Sequence, residues 1–217
     1  MTRATLLTAA LLLLALARTA PALGAGVKAA VHDANGAPVK DAVVLARPVG
    51  TMPALKPGNA NIDQIDKEFV PYMKVVVAGS SVSFPNKDNI RHQVYSFSPA
   101  KRFELPLYVG TPATPVVFDK PGIVTLGCNI HDWMAAYVYI ADTPYFAITQ
   151  ADGSARLAGL PAGEYVLQVW HPRMDGAESA TAQRIRIDAD AKTAWTVKLK
   201  PDLRPRRAPH AHGGGYR

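Results

Sequence analysis

Apolar residues in this chain come in short runs, most of them ending on proline, glycine or an Asx–Gly pair. With 18 Pro and 16 Gly in 217 residues, that punctuation argues against long helices, and no long segment keeps a helical 3.6-residue apolar period. Short runs between turn residues are the pattern of β-sandwiches. Strands are expected at 27–31, 39–45, 73–78, 81–84, 91–97, 115–119, 123–128 and 135–140, then at 145–149, 155–157, 163–170, 182–187 and 193–199. Residues 48–61, rich in Pro, Gly and Asn, read as a linker, and Asp63, Asp66, Lys67 and Glu68 as a solvated segment.

The N-terminus reads as a secretory signal over residues 1–25. Arg3 precedes the apolar run Leu6 to Ala17, twelve residues that are too few to span a bilayer, and small residues follow to Ala25. Cleavage there makes the mature chain exported, periplasmic in a Gram-negative host, with no membrane span. The formal charge of +7 loses Arg3 and Arg18 with the leader and falls to +5. The tail 201–217 reads as disordered and carries +3 of that (Arg204, Arg206, Arg207 and Arg217 against Asp202), so the folded part stands near +2. The basic balance therefore gives no argument for nucleic-acid binding.

One cysteine, Cys128, is the smallest count and the most informative. It cannot form an intramolecular disulfide, and neither a four-Cys zinc site nor a C-x-x-C-H haem site can be built around it. It opens Cys128-Asn129-Ile130-His131-Asp132-Trp133-Met134, directly after an apolar strand on which Val124, Leu126 and Cys128 share one face. Upstream, Val82-Ser83-Phe84-Pro85-Asn86 precedes His92 at the start of another strand. A soft thiolate, two imidazoles and a weak thioether are the ligand set of blue-copper electron-transfer sites. Three donors on one loop can converge on one ion, and His92 must then reach it from a neighbouring strand.

Residues 62–142 resemble a cupredoxin domain of the plastocyanin and amicyanin type, on Phe69-Val70-Pro71, Val75-Val76-Val77-Ala78-Gly79, the 82–86 stretch, His92 and the 128–134 loop. The mature chain is similar to the bacterial methylamine utilization protein family through Val94-Tyr95-Ser96-Phe97-Ser98-Pro99-Ala100-Lys101-Arg102-Phe103-Glu104-Leu105. The resemblance implies one type 1 copper held by His92, Cys128, His131 and Met134. Two positions depart from the pattern. The Asn that follows the first His ligand in amicyanin-like proteins, and ties the ligand loops together, is Gln93 here; the Ser or Thr common after the Cys is Asn129.

Residues 31–43 and 150–165 resemble the early and late strands of a prealbumin-like (carboxypeptidase-regulatory-like) sandwich. The organisation expected is all-β: a cupredoxin-like Greek-key sandwich at 60–142 inserted into a smaller prealbumin-like sandwich formed by 26–59 and 143–200. No P-loop, dinucleotide fingerprint, G-x-S-x-G elbow or H-E-x-x-H motif occurs, and six histidines leave too few for a second copper centre. The function expected is a non-catalytic one-electron carrier working with a dehydrogenase or cytochrome. The alternatives are a binding or structural module and a copper chaperone on the same scaffold. Trp133 and Ile130 flank His131 as a candidate docking patch, and His32 and His171 are expected at the surface.

Overall fold

A computed structural model describes residues 25–203. The expected leader and basic tail, with His210 and His212, lie almost wholly outside the described residues. The described chain is all-β apart from one 3-10 turn at Glu178–Thr181. No helix among the described residues is long and apolar enough to cross a membrane.

The chain opens with β1 (Ala25–Asp33) and β2 (Val43–Pro48), crosses over to β3 (Asn59–Asn61), and forms a tight hairpin from β4 (Asp63–Ile65) and β5 (Glu68–Val70). Then come β6 (Met73–Val77), β7 (Ser80–Ser83), β8 (His92–Ser98), β9 (Lys101–Tyr108), β10 (Val116–Phe118), β11 (Gly122–Gly127) and β12 (Ala135–Ala141). The last group is β13 (Tyr145–Ile148), β14 (Ser154–Leu160), β15 (Gly163–Trp170), β16 (Gln183–Ile187) and β17 (Ala191–Val197).

Four sheets stack as layers. Sheets β14-β1-β17 and β13-β2-β15-β16 enclose one core, which joins Val27 and Val44 to Leu157, Leu167 and Trp195. Sheets β6-β12-β11-β8-β9 and β10-β7-β3 enclose a second core around Phe84, Phe118, Val124 and Leu126. Between the two sandwiches, Val43 and Leu45 of β2 meet Met73, Val75 and Tyr139. Strand parity explains this: Val44 and Ala46 face one core while Val43 and Leu45 face the other, so β2 is apolar on both sides. Each fully buried Leu or Phe stabilises the stack by roughly 1.5–3 kcal/mol. Arg47, at the end of β2, pins the same junction. Its guanidinium donates to Asp142 (2.8 Å), Glu178 (3.1 Å) and the Tyr139 hydroxyl (3.3 Å).

Three local expectations differ from the structure. The segment 63–68 is a β-hairpin and not simply solvated: Asp66 and Glu68 are exposed, but Gln64 in the first strand is fully buried. Strand β9 is absent from the expected set. It lies at a sheet edge, where Pro106 removes no ladder hydrogen bond that the fold needs, although it interrupts the strand pattern in the sequence. His171 is buried rather than at the surface, and its Nδ1 accepts the Arg173 N–H at 3.1 Å.

Candidate metal centre

Strand β11 carries Val124 and Leu126 into the core between the two sheets, and the alternation continues to Cys128, which is 3% exposed. Its neighbour Gly127 pairs with Tyr95 of β8. A Cβ on Gly127 would sit 2.7 Å from Tyr95 Cζ, so only glycine lets the Tyr95 ring close over the strand end. The following loop folds back on itself, with Met134 N–H donating to the His131 carbonyl at 2.9 Å. Met134 is thereby buried in the same core cluster as Cys128. A shallow cleft of about 500 Å³, lined in part by Tyr95, Phe97 and Asp132, reaches both side chains.

His92 begins β8, with Val94 and Ser96 on its buried face, and is itself 0% exposed. Donor atoms of His92, Cys128 and His131 all lie within 4.8 Å of one another, and the two imidazole rings are 5.0 Å apart. Cys128 Sγ lies 4.0 Å from His131 Nδ1. N and S donors that each sit about 2.0–2.3 Å from one first-row metal ion are spaced at roughly this distance. Of the four residues singled out in the sequence, three form the donor cluster, and Met134 lies in the same core cluster as Cys128.

His92 also shows that the cluster suits an ion. Its Nε2 is 2.7 Å from Asp88 Oδ2 and so is occupied. Its Nδ1 is buried with no hydrogen-bond partner, which costs about 1–3 kcal/mol if nothing binds there. A metal bound at Nδ1 would remove that penalty, and thiolate with imidazole is a donor set suited to copper.

The surroundings contain residues that the sequence reading passed over. Residues 66 and 67, at the tip of the β4–β5 hairpin, both have positive φ (54° and 61°), the geometry of a type I′ turn that normally takes Asn-Gly. The Asp88 carboxylate caps this turn, accepting N–H from Asp66 (2.7 Å) and Lys67 (2.8 Å). Burial disfavours the Asp88 charge. The Lys67 N–H, the His92 contact and the Asp66 N–H outweigh it and hold the carboxyl below the usual carboxylate range. Asn86 fixes the intervening loop: its Nδ2 donates to the Ile90 and Tyr108 carbonyls at 2.8 Å each, and its Oδ1 accepts Asp88 N–H at 3.0 Å. Tyr108, opposite His92 across the β8–β9 ladder, donates to the Phe84 carbonyl at 2.6 Å and accepts from buried Gln64. Of this network the sequence pointed to Asn86 before His92 and to Asp66 and Lys67 as solvated residues, but not to Asp88 or Gln64.

The flanking residues behave differently from one another. Ile130 is 48% exposed. Trp133 is half-buried, 5.1 Å from the His131 ring, and donates its indole N–H to the Lys67 carbonyl at 3.1 Å. Gln93 does not reach the ligand loop and donates instead to Glu104 across the ladder at 2.6 Å.

No family model and no curated protein matches the chain. Among solved structures it is similar to a purple cupredoxin from Nitrosopumilus maritimus (20% identity, 38% of this chain and 99% of that one, TM-score 0.34). It is also similar to amicyanin from Paracoccus versutus (13% identity, 38% and 81%, TM-score 0.33). A copper-containing nitrite reductase from Thermus scotoductus is similar over 44% of this chain and 25% of its own (22% identity, TM-score 0.37).

Proposed function

We propose that this chain is an exported one-electron carrier with a single type 1 copper at His92, Cys128, His131 and Met134. The carrying observation is the buried, partnerless Nδ1 of His92 in a cluster with Cys128 and His131. Copper supplies the one-electron couple. The chain's own contribution is to hold a thiolate, two imidazoles and a thioether where strand β8 and the 128–134 loop fix their positions. Buried His92 and Cys128 keep water from the donor cluster. Half-buried His131, beside exposed Ile130, is the donor nearest the surface and offers the exchange route to a partner.

The partner is a dehydrogenase or a cytochrome, and the resemblance to methylamine utilization proteins favours the amine-oxidising setting. The periplasm is the compartment, and the chain itself is not catalytic. Residues 60–142 form the copper unit. Residues 26–59 and 143–200 form the prealbumin-like unit, a division supported by a core that joins Val27–Ala46 to Ala155–Val197.

The test is to add Cu(II) to the purified metal-free protein and record its visible spectrum with a metal analysis. An intense copper–thiolate charge-transfer band at one copper per chain is expected. Full copper loading without that band overturns the reading.

A further inference from the structure

The Asp88 side chain hydrogen-bonds both the hairpin turn and a donor of the cluster. Its Oδ1 accepts the Asp66 N–H, and its Oδ2 is shared by the Lys67 N–H and His92 Nε2. The turn it caps places two non-glycine residues at positive φ, a conformation unfavourable for residues with a Cβ. Such a turn persists where neighbouring groups over-determine it. Trp133 makes the second tie, from the ligand loop to the Lys67 carbonyl. The hairpin thus joins the two halves of the donor cluster, while Gln93, which holds the position where an Asn tie was expected, bonds elsewhere.

Resting on the copper reading above, we infer that Asp88 is the positioning residue of the centre: its carboxylate locks His92 as the Nε2–H tautomer, leaves Nδ1 as the donor, and biases the site toward Cu(II). A carboxylate accepts and cannot donate, so the shared proton belongs to Nε2, and in the neutral ring the lone pair is then at Nδ1. A histidine ligand whose outer nitrogen faces a carboxylate is fixed in orientation and made a stronger base. Its extra negative charge favours the more positive oxidation state. Loss of such a contact changes metal affinity by 10–100-fold. If the change falls on Cu(II), it raises the reduction potential by roughly 60–120 mV, at about 59 mV per tenfold for one electron.

The test compares wild type, Asp88→Asn and Asp63→Asn. The last removes a carboxylate of the same hairpin that contacts no donor of the cluster. A further chain carries Asp88→Asn with D66N and K67G, which give the turn an intrinsically favoured sequence and remove its need for Asp88. This chain keeps the question answerable if Asp88→Asn alone does not fold. Two readouts are taken: histidine tautomers by ¹⁵N NMR of the metal-free proteins, and the Cu(II)/Cu(I) potential of the loaded ones.

The expected result is Nε2–H at His92 in wild type and Asp63→Asn, loss of that single tautomer in both Asp88→Asn chains, and a potential raised only in those two. An unchanged tautomer, or a potential no different from Asp63→Asn, overturns the inference. If wild type shows no copper–thiolate band, the copper reading fails. The tautomer comparison in metal-free protein then still decides the role of Asp88 in orienting His92.

Discussion

Asp88 Oδ2 lies 2.7 Å from Nε2 of His92, while Nδ1 of the same ring is buried with no partner. The ring is therefore held at one nitrogen and left available at the other, in a residue that clusters with Cys128 and His131. That asymmetry separates this histidine from one that merely fills a core. A satisfied core histidine would use both nitrogens, because an unpaired buried polar atom costs stability.

Cys128→Ser is expected to abolish the copper–thiolate band and leave the fold intact. Serine is smaller and its oxygen is a far poorer soft-metal donor, while Cys128 contributes little volume to its core cluster. Visible absorption of the copper-treated variant, with far-UV circular dichroism as the fold control, reads both effects. A full-strength band in this variant would show that the thiolate is not a ligand.

Trp133→Phe removes the indole donor to Lys67 and keeps most of the aromatic packing beside His131. A single such hydrogen bond is worth about 0.5–1.5 kcal/mol. Urea unfolding should show a loss in that range. Amide exchange should accelerate at Asp66 and Lys67 before it does in β11. Uniform acceleration across both would mean that the hairpin is not a separate tie.

Arg47→Met keeps the aliphatic stem between the sandwiches but leaves Glu178 and Asp142 without their cation. Because Asp142 is substantially solvent-exposed, most of the loss comes from Glu178 and the Tyr139 hydroxyl that donates to it. The expected destabilisation is about 1–3 kcal/mol, measured by denaturant unfolding. A change below 0.3 kcal/mol, on the order of an exposed ion pair, would show that the junction rests on apolar contact alone.

Alkaline pH should weaken the fold through Tyr108. Burial pushes its phenol up to about 12, against the opposing hydrogen bond from Gln64. The unfolded chain ionises near pH 10. The contribution is therefore complete below pH 10 and is lost as pH rises from 10 to 12, because the unfolded state releases its proton first. Denaturant midpoints at pH 8, 10 and 11 test this. Tyr108→Phe should flatten part of the decline, and an identical slope in that variant would exclude Tyr108 as its source.

Much of the centre was legible along the chain. The Cys128, His131 and Met134 spacing lies on one loop, and the parity of Val124, Leu126 and Cys128 follows from β geometry, which repeats every two residues. His92 was legible as the start of a strand. The layered β architecture followed from short apolar runs and their turn residues. The hairpin at 63–70 was not, because charged Asp63, Asp66, Lys67 and Glu68 mask the buried Gln64 and Phe69 beside them. Strand β9 was hidden by an interior proline that only an edge position allows.

By itself, the sequence determined the donor types, their order and the strand faces that carry them, since these are set by covalent spacing and by the alternation of side chains. Only the tertiary structure decided which groups meet those donors from outside. Asp88 reaches the 66–67 turn from more than twenty residues away, and Trp133 reaches it from 66 residues away. Those contacts arise when two sheets close over one core, and their hydrogen bonds depend on sub-ångström placement that no linear spacing encodes.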